Sequence, residues 1–337
     1  VTARLPYSAE LVVEHELSGV RIDSFLVKHF RNYTPWRMQR IVRAGGAAIN
    51  HAPAAESDRV FEGQTVSVRL LEPPDKLLAS DPEPLPVLFD DPWLVVVNKP
   101  AGVIAHPTGE YHTGSLANMM QHWLDRRTPL RGLLRPGLVH RLDRQTSGVV
   151  VLALHHLAHR RLAEAFEDSR VQKSYLALIE GDVRDDRGSI DLPIGRTPTG
   201  RQILMSARGD ALDARPARTR YEVVQRFGQL TLVRAYPATG RNHQIRVHFA
   251  QIGHPLVGDE FYEAHGKIKP LRLLRESDPD EEDSREVETG LPIRRHALHA
   301  ERLCFAHPIT QVWMEFVAPL PRDFQETITV LQMSRSL

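Results

Sequence analysis

The sequence predicts an α+β protein in two parts: a small α/β module, then a larger domain on a mixed, largely antiparallel β-sheet with flanking helices and loops. Three observations point there. Residues 72–86 read Glu-Pro-Pro-Asp-Lys-Leu-Leu-Ala-Ser-Asp-Pro-Glu-Pro-Leu-Pro, a semi-rigid linker with little to pack. Beyond it, strand-like runs outnumber helical ones and do not alternate regularly with them, as a doubly wound sheet would require. Finally, 337 residues, 42% hydrophobic and 25% charged, suffice for one large domain plus a small one. The expected division is a tail over 1–17, a module over 18–72, a linker over 73–86 and the main domain over 87–337. The net charge of +1 says little about partners. The single Cys304 excludes an intramolecular disulfide and fits a reducing compartment. No apolar run reaches membrane-spanning length and the first residues carry no secretory segment, so a cytoplasmic protein is expected.

Residues 1–16 show no clear period and read as a tail or an edge strand. From Arg21 the pattern turns helical, with Ile22, Phe25, Leu26 and Phe30 on one stripe. Thr34-Pro35 opens a second helix, Thr as the N-cap acceptor and Pro where a free N–H would go unpaired. There Trp36, Met38, Ile41 and Val42 supply apolar groups, while Arg37, Arg40 and Arg43 share a broad exposed face. Gly45-Gly46 ends it, and residues 47–50 and 66–70 read as strands. In the main domain residues 87–89 and 94–99 are strand-like, 116–124 forms an amphipathic helix, and Ala158, Leu162, Ala165 and Phe166 mark another. Residues 173–181 alternate, placing Tyr175, Ala177 and Ile179 on one face. Residues 195–220 read as a basic loop, followed by strands at 221–224 and 230–235. Residues 239–249 look like a turn entering a helix, whose first N–H groups favour an anion. Residues 275–290 are acidic and nearly free of apolar groups, as in a mobile loop, and a strand is expected at 312–316.

The chain centres on Gly137-Leu138-Val139-His140-Arg141-Leu142-Asp143-Arg144-Gln145-Thr146-Ser147-Gly148, which runs straight into Val149–Leu154. A charged turn feeding a fully apolar, β-branched strand places Asp143 at the mouth of the core, where reactive groups commonly lie. Taken alone, an Asp beside Gly is more simply a turn-former.

In the company of four further stretches this run resembles the signature of the RluA-type RNA pseudouridine synthases. The others are Val97–Gly102, Lys173–Gly181, Thr239–Phe249 with Gly253–Asp259 behind it, and His296–Pro308, all in the family's order. The small module, two short helices and a hairpin with an arginine row, resembles an S4-type RNA-binding domain, as in the large-subunit ribosomal RNA members. Such a row rewards a phosphate backbone through counterion release, although a solvated helix face looks the same in sequence.

The resemblance implies isomerisation of uridine within RNA: the N1–C1′ bond breaks, uracil turns, and a C5–C1′ bond forms. It implies Asp143 as the catalytic carboxylate, able to stabilise positive charge at C1′, bond to it, or take up a proton. A covalent sugar adduct, a glycal route and attack on the base are all compatible with one carboxylate. Tyr175 matches the tyrosine expected to stack on an extruded base, and Arg246 the arginine that keeps the aspartate ionised. By spacing alone Tyr175 reads as a core residue and Arg246 as a surface cation. Arg141, Lys99, Arg196 and Arg201, with Arg37, Arg40 and Arg43, complete the expected RNA contacts, and His106 is a weaker candidate for the cleft rim. The partner implied is RNA, most simply large-subunit ribosomal RNA with transfer RNA as the alternative, and the chain is expected to act as a monomer without a cofactor. A non-catalytic assembly factor is disfavoured by the intact Asp143, Tyr175 and Arg246 set, and a nucleoside hydrolase by the lack of a clear second acid. The acidic 275–290 run is longer than the pattern leads one to expect, and Gln202-Ile203-Leu204 stands where more lysine is expected. His155, His156 and His159 have helical spacing, but no nearby Cys, Asp or Glu completes a metal set, so they read as a helix surface. Gly109 with Gly114-Ser115 lacks the lysine and spacing of a P-loop.

Overall fold

The computed structural model describes residues 7–70, 78–108, 112–127, 135–198, 204–269 and 289–334. Arg201, Gln202 and Ile203, residues 71–77 of the linker region and residues 270–288 of the acidic region lie outside them.

The small domain comprises β1 (Tyr7–Val12), α1 (Ile22–His29), α2 (Pro35–Arg43), β2 (Ala47–Ile49), β3 (Ala52–Pro53) and β4 (Thr65–Leu70), with sheet order β1-β4-β2-β3. The residues expected as a tail therefore supply an edge strand: β1 pairs antiparallel with β4 from Tyr7↔Leu70 to Val12↔Thr65. Its alternating burial is too short a signal to separate from a frayed terminus in sequence. The cap on α2 forms as expected, Thr34 Oγ1 accepting from Arg37 N at 3.2 Å. Met38, Ile41 and Val42 enter a core with Ile22, Phe25, Leu26 and Val66. Trp36 does not. It is exposed, with the Arg40 guanidinium 4.8 Å above its ring.

The large domain contains β5 (Val87–Asp90), β6 (Leu94–Lys99), α3 (Leu116–Arg127), β7 (Gly137–Leu138), β8 (Ser147–Ala153), α4 (His156–Glu167), β9 (Gln172–Glu180) and β10 (Arg187–Asp191). It continues with β11 (Ile194–Arg196), β12 (Met205–Ser206), β13 (Leu212–Arg215), β14 (Arg218–Arg226), β15 (Leu230–Pro237) and α5 (Gln244–Gln251). The short pair β16 (Tyr262–Glu263) and β17 (Lys267–Ile268) follows, then β18 (Leu298–Ala306), β19 (Trp313–Val317) and α6 (Arg322–Ser334). The main sheet runs β10-β14-β15-β9-β18-β8-β6-β5 and is antiparallel except where β18 meets β8. The 195–220 region expected as a loop instead holds a three-stranded sheet, β12-β11-β13, and the start of β14. Its exposed, charged alternation carries no apolar period to announce strands.

Strand β8 is buried throughout because both its faces are covered. Val149, Val151 and Ala153 pack with Ala158 and Leu162 of α4, while Val150 and Leu152 pack with Leu116 and Met120 of α3. The described part of the linker is tied down, contrary to expectation: Asn118 Nδ2 donates to Ala79 O at 2.8 Å and Gly114 N to Asp81 Oδ2 at 3.0 Å. Polar groups at the start of α3 hold it there, and Leu85 packs against the core beside Leu116 and Met120. Among the described residues no helix is long and apolar enough to cross a membrane.

Candidate active site

The turn between β7 and β8 carries Asp143 and is secured along its length. The His140 ring stacks on Phe166 with centroids 4.4 Å apart, and its Nε2 accepts from Val151 N at 3.0 Å. Burial pushes this imidazole down to about 3, so it stays neutral and structural. Lys99 Nζ donates to the carbonyls of Pro100 at 2.8 Å, Val103 at 2.8 Å and Arg144 at 3.0 Å. Arg295 donates to Gln145 O at 2.7 Å while its Nε bonds Asp323 of α6 at 2.7 Å. His296 Nε2 meets Thr146 Oγ1 at 2.8 Å. Where β8 and β18 run side by side, Gly148 (φ +122) is required, since a Cβ there would lie 2.2 Å from Ala300 O. Anchored from four directions, the Asp143 carboxylate is positioned before any substrate arrives.

Arg246, only 1% exposed, is the electrostatic hub. Its Nε and Nη2 bond Asp259 at 2.8 Å each, Nη2 also reaches Glu260 at 2.8 Å, and Nη1 reaches Asp143 Oδ2 at 3.3 Å. Burial raises the Asp143 carboxyl, but His243, Arg246 and His296 together hold it below its ordinary value. Glu260 follows the same logic, burial opposed by Arg246 and His296, and also lies low. The guanidinium sits 5.2 Å from the Phe261 ring and 5.3 Å from that of Tyr262, which screen it from water.

Asp143 borders two adjoining hollows. One is lined by Lys173, Tyr175, Thr239, Gln244 and Leu298, the other by His106, Thr108, Gln145, Glu260 and His296; Arg141, Asn242, His243 and Arg246 line both. Tyr175 projects from β9, and burial with the Asp143 charge raises its phenol, which stays protonated. His243 caps α5 in a left-handed conformation (φ 53), one that histidine adopts more readily than most residues. Its Nδ1 lies 2.7 Å from Tyr262 Oη. Tyr262 Oη also accepts from Met205 N at 3.1 Å. The other ring nitrogen of His243, Nε2, lies 4.0 Å from Asp143 Oδ1.

The structure thus brings Asp143, Tyr175, Arg246 and Arg141 together, with His106 on the rim. Lys99 is a correction: it is fully buried and spent on three carbonyls, a strut under the Asp143 turn and not an RNA contact. Burial pushes it down to about 7, with the Asp143 charge opposing. Arg196 lines neither hollow and is salt-bridged to Asp213 on the small sheet. Arg37, Arg40 and Arg43 are in the small domain. Arg37 is half-buried and Arg43 is paired with Glu56 at 2.8 Å, so the exposed face expected of all three is narrower. Asp259, Glu260, His243 and His296 join the site without any local signal in sequence that marks them. Two acids, not the single carboxylate expected, accompany Asp143, but both are committed to Arg246. A free acid and a free carboxylate flanking one bond, as a glycosidase needs, is therefore not what this cleft offers.

An ionised, rigidly held carboxylate beside an aromatic face, in a cleft lined by cations on an α+β sheet, defines an enzyme of anionic, ring-bearing substrates. The chain belongs to the RNA pseudouridine synthase family: residues 93–251 match the family model described as RNA pseudouridylate synthase. It is 34% identical over 324 residues to an uncharacterized RNA pseudouridine synthase, YlyB, of Bacillus subtilis, covering 96% of this chain and 98% of that protein. It is 33% identical over 330 residues to ribosomal large subunit pseudouridine synthase D of Neisseria meningitidis, covering 97% and 83%. Among solved structures, human RNA pseudouridylate synthase domain containing 4 superposes with a TM-score of 0.55 at 26% identity, covering 73% of this chain and 93% of that one. The chain is accordingly an isomerase acting on uridine in RNA.

Proposed function

We propose that this chain forms pseudouridine in large-subunit ribosomal RNA, with Asp143 as the catalytic carboxylate. The observation that carries this is the placement of Asp143: ionised, anchored, and between two hollows that Tyr175 and Arg141 line. A uridine lifted from its stack enters beside Tyr175, whose ring replaces the lost base neighbours. As the N1–C1′ bond breaks, its electron pair leaves with uracil and the Asp143 anion stabilises or bonds the electron-poor C1′. Uracil rotates, C5 joins C1′ and displaces the carboxylate if it has bonded, and the C5 proton is lost while N1 takes one up, so no net proton is gained or lost. Arg246 keeps Asp143 charged, and Arg141 meets a flanking phosphate.

The ribosomal target is supported by relatives from Neisseria meningitidis and Nitrosomonas europaea that are named ribosomal large subunit pseudouridine synthase D. The small domain acts as an S4-like RNA-binding module through Trp36 and Arg40, an aromatic face and a cation side by side. Asp143→Asn should abolish pseudouridine formation and leave RNA affinity within a few fold; retained turnover would refute the assignment. Mapping pseudouridine across all RNAs of a deletion strain names the site, and loss confined to transfer RNA would replace the ribosomal reading.

A further inference from the structure

At the junction of the two domains, four side chains from three distant points of the chain converge. Glu14 follows β1 and His29 closes α1 in the small domain, while His155 and His156 begin α4 in the large one. His29 Nε2 lies 3.6 Å from Glu14 Oε2, and His155 Nε2 and His156 Nε2 lie 3.6 and 3.9 Å from Glu14 Oε1. One ligand atom from each of the four falls within 4.8 Å of all the others. These separations exceed hydrogen-bonding distance. Glu14 Oε2, His29 Nε2 and His156 Nδ1 are moreover buried without a hydrogen-bond partner. Orphaned buried polar atoms are costly and rare, and here two of them, Glu14 Oε2 and His29 Nε2, lie 3.6 Å apart, while His156 carries the third.

The rings have little freedom to turn away. His29 packs against Phe25 at 4.7 Å and against His156 at 4.7 Å, and His155 packs against Trp93 at 5.0 Å. His155 Nδ1 is used as the N-cap acceptor for Leu157 N at 3.3 Å, which leaves Nε2 as its inward atom. His159, the third histidine of the helical spacing, is excluded: its Nε2 meets Leu138 O at 3.2 Å. The sequence offered three histidines without an acid, whereas the fold replaces one of them with His29 and brings in Glu14.

We propose that Glu14, His29, His155 and His156 form a binding site for a divalent first-row transition-metal ion, zinc by preference, that clasps the small domain to the large one. Three imidazoles and one carboxylate are a tetrahedral N3O set of the kind zinc accepts, with nitrogen and oxygen about 2.0–2.1 Å from the ion. Drawing the four atoms to the roughly 3.3 Å mutual spacing of that tetrahedron needs small shifts from their present positions. With all four positions filled by protein, the ion has a structural role and activates no water. The Arg161–Glu16 ion pair, 3.0 Å, crosses the same boundary and supports the clasp. The site is separate from the Asp143 cleft and does not depend on the reaction assigned there.

The test uses the full chain, stripped with chelator and titrated with Co2+ as the optical probe. One equivalent should bind with the intense visible absorption of tetrahedral cobalt, and Zn2+ should displace it. His155→Asn keeps a capping side chain while removing the ligand, and Glu14→Gln keeps shape while removing charge. Each should weaken binding on the order of 100-fold or more, beyond what loss of an outer-sphere partner does. His159→Gln should bind as wild type. Zn2+ should raise the melting temperature of wild type and not of His155→Asn, with metal-free melts of both showing that the variant is folded. Should the His155 variant melt early, Glu14→Gln carries the same comparison. Binding of less than one equivalent, an octahedral spectrum, or wild-type affinity in both ligand variants would overturn the proposal.

Discussion

Replacing Arg246 by methionine should reverse the way this protein's stability responds to pH. In the native protein the Asp143 and Glu260 carboxyls are held below their ordinary values, against burial, by Arg246 together with His243 and His296. Their contribution is fully present above the unfolded carboxylate values of about 4 and fades as pH falls through the lower folded values. Without the guanidinium, burial is opposed only by the histidines. Glu260 and Asp143 then hold protons in the folded state at pH values where the unfolded chain has released them, so stability falls as pH rises from about 4 towards 7. Asp259, 1% exposed, is left as an unpaired charge. Breaking a buried ion pair by removing one partner costs about 3–5 kcal/mol. At roughly 1.4 kcal/mol per decade this is a loss of about 10²–10⁴ in the folding equilibrium at pH 7. Urea unfolding at pH 5 and pH 7 measures it, as a midpoint shift at unchanged slope. The gap between wild type and Arg246→Met should be wider at pH 7. A gap below about 1 kcal/mol, or one equal at both pH values, would refute the buried network as drawn.

With the proposed stacking of the Tyr175 ring on the base, Tyr175→Phe should keep most turnover, while Tyr175→Leu should lose about 1–3 kcal/mol of stacking, read as a roughly 5- to 150-fold fall in kcat/KM. Lys99→Met strands three buried carbonyls at about 1–3 kcal/mol each; a thermal melt should drop sharply, and a loss below 1 kcal/mol would show the strut to be dispensable. On α2, Trp36→Ala should weaken RNA binding more than Arg43→Ala, since Arg43 is already paired with Glu56. Arg40→Ala should lower the salt slope of binding by about 0.7–0.9, and an unchanged slope would turn that face away from phosphate.

Local signals were legible in the sequence and distant ones were not. The Thr34 cap, the double-sided burial of β8 and the shared face of Tyr175, Ala177 and Ile179 on β9 follow from neighbouring residues and form as the pattern predicts, although β9 is buried on its other face too. The charged β13 carries no apolar period, and the alternation of β1 spans only six residues, too few to tell a strand from a tail in sequence. Within the site, Tyr175 and Arg246 stood out only through the resemblance to a family, for by spacing they look like a core tyrosine and a surface cation. Nothing near Arg246 in sequence announces that it is buried, because the carboxylates that compensate it lie 13 and 14 residues on and 103 residues back. Lys99 misled for the opposite reason. A lysine at a loop mouth is normally solvated, and only the fold reveals the three carbonyls that claim it.

The bonds that fix the Asp143 turn have a consequence for how the molecule is made. Thr146 meets His296 across 150 residues, Ser147 meets His299 across 152, and Gln145 is held by Arg295 across 150. The small domain closes its sheet within residues 7–70, so it folds early as the chain leaves the ribosome. The segment bearing Asp143 is synthesised soon after, yet its anchors at Gln145, Thr146 and Ser147 are missing until residues 295–300 emerge and lay β18 beside β8. A nascent chain therefore carries a folded small domain while the Asp143 turn is still unassembled, and the cleft is completed in one late step.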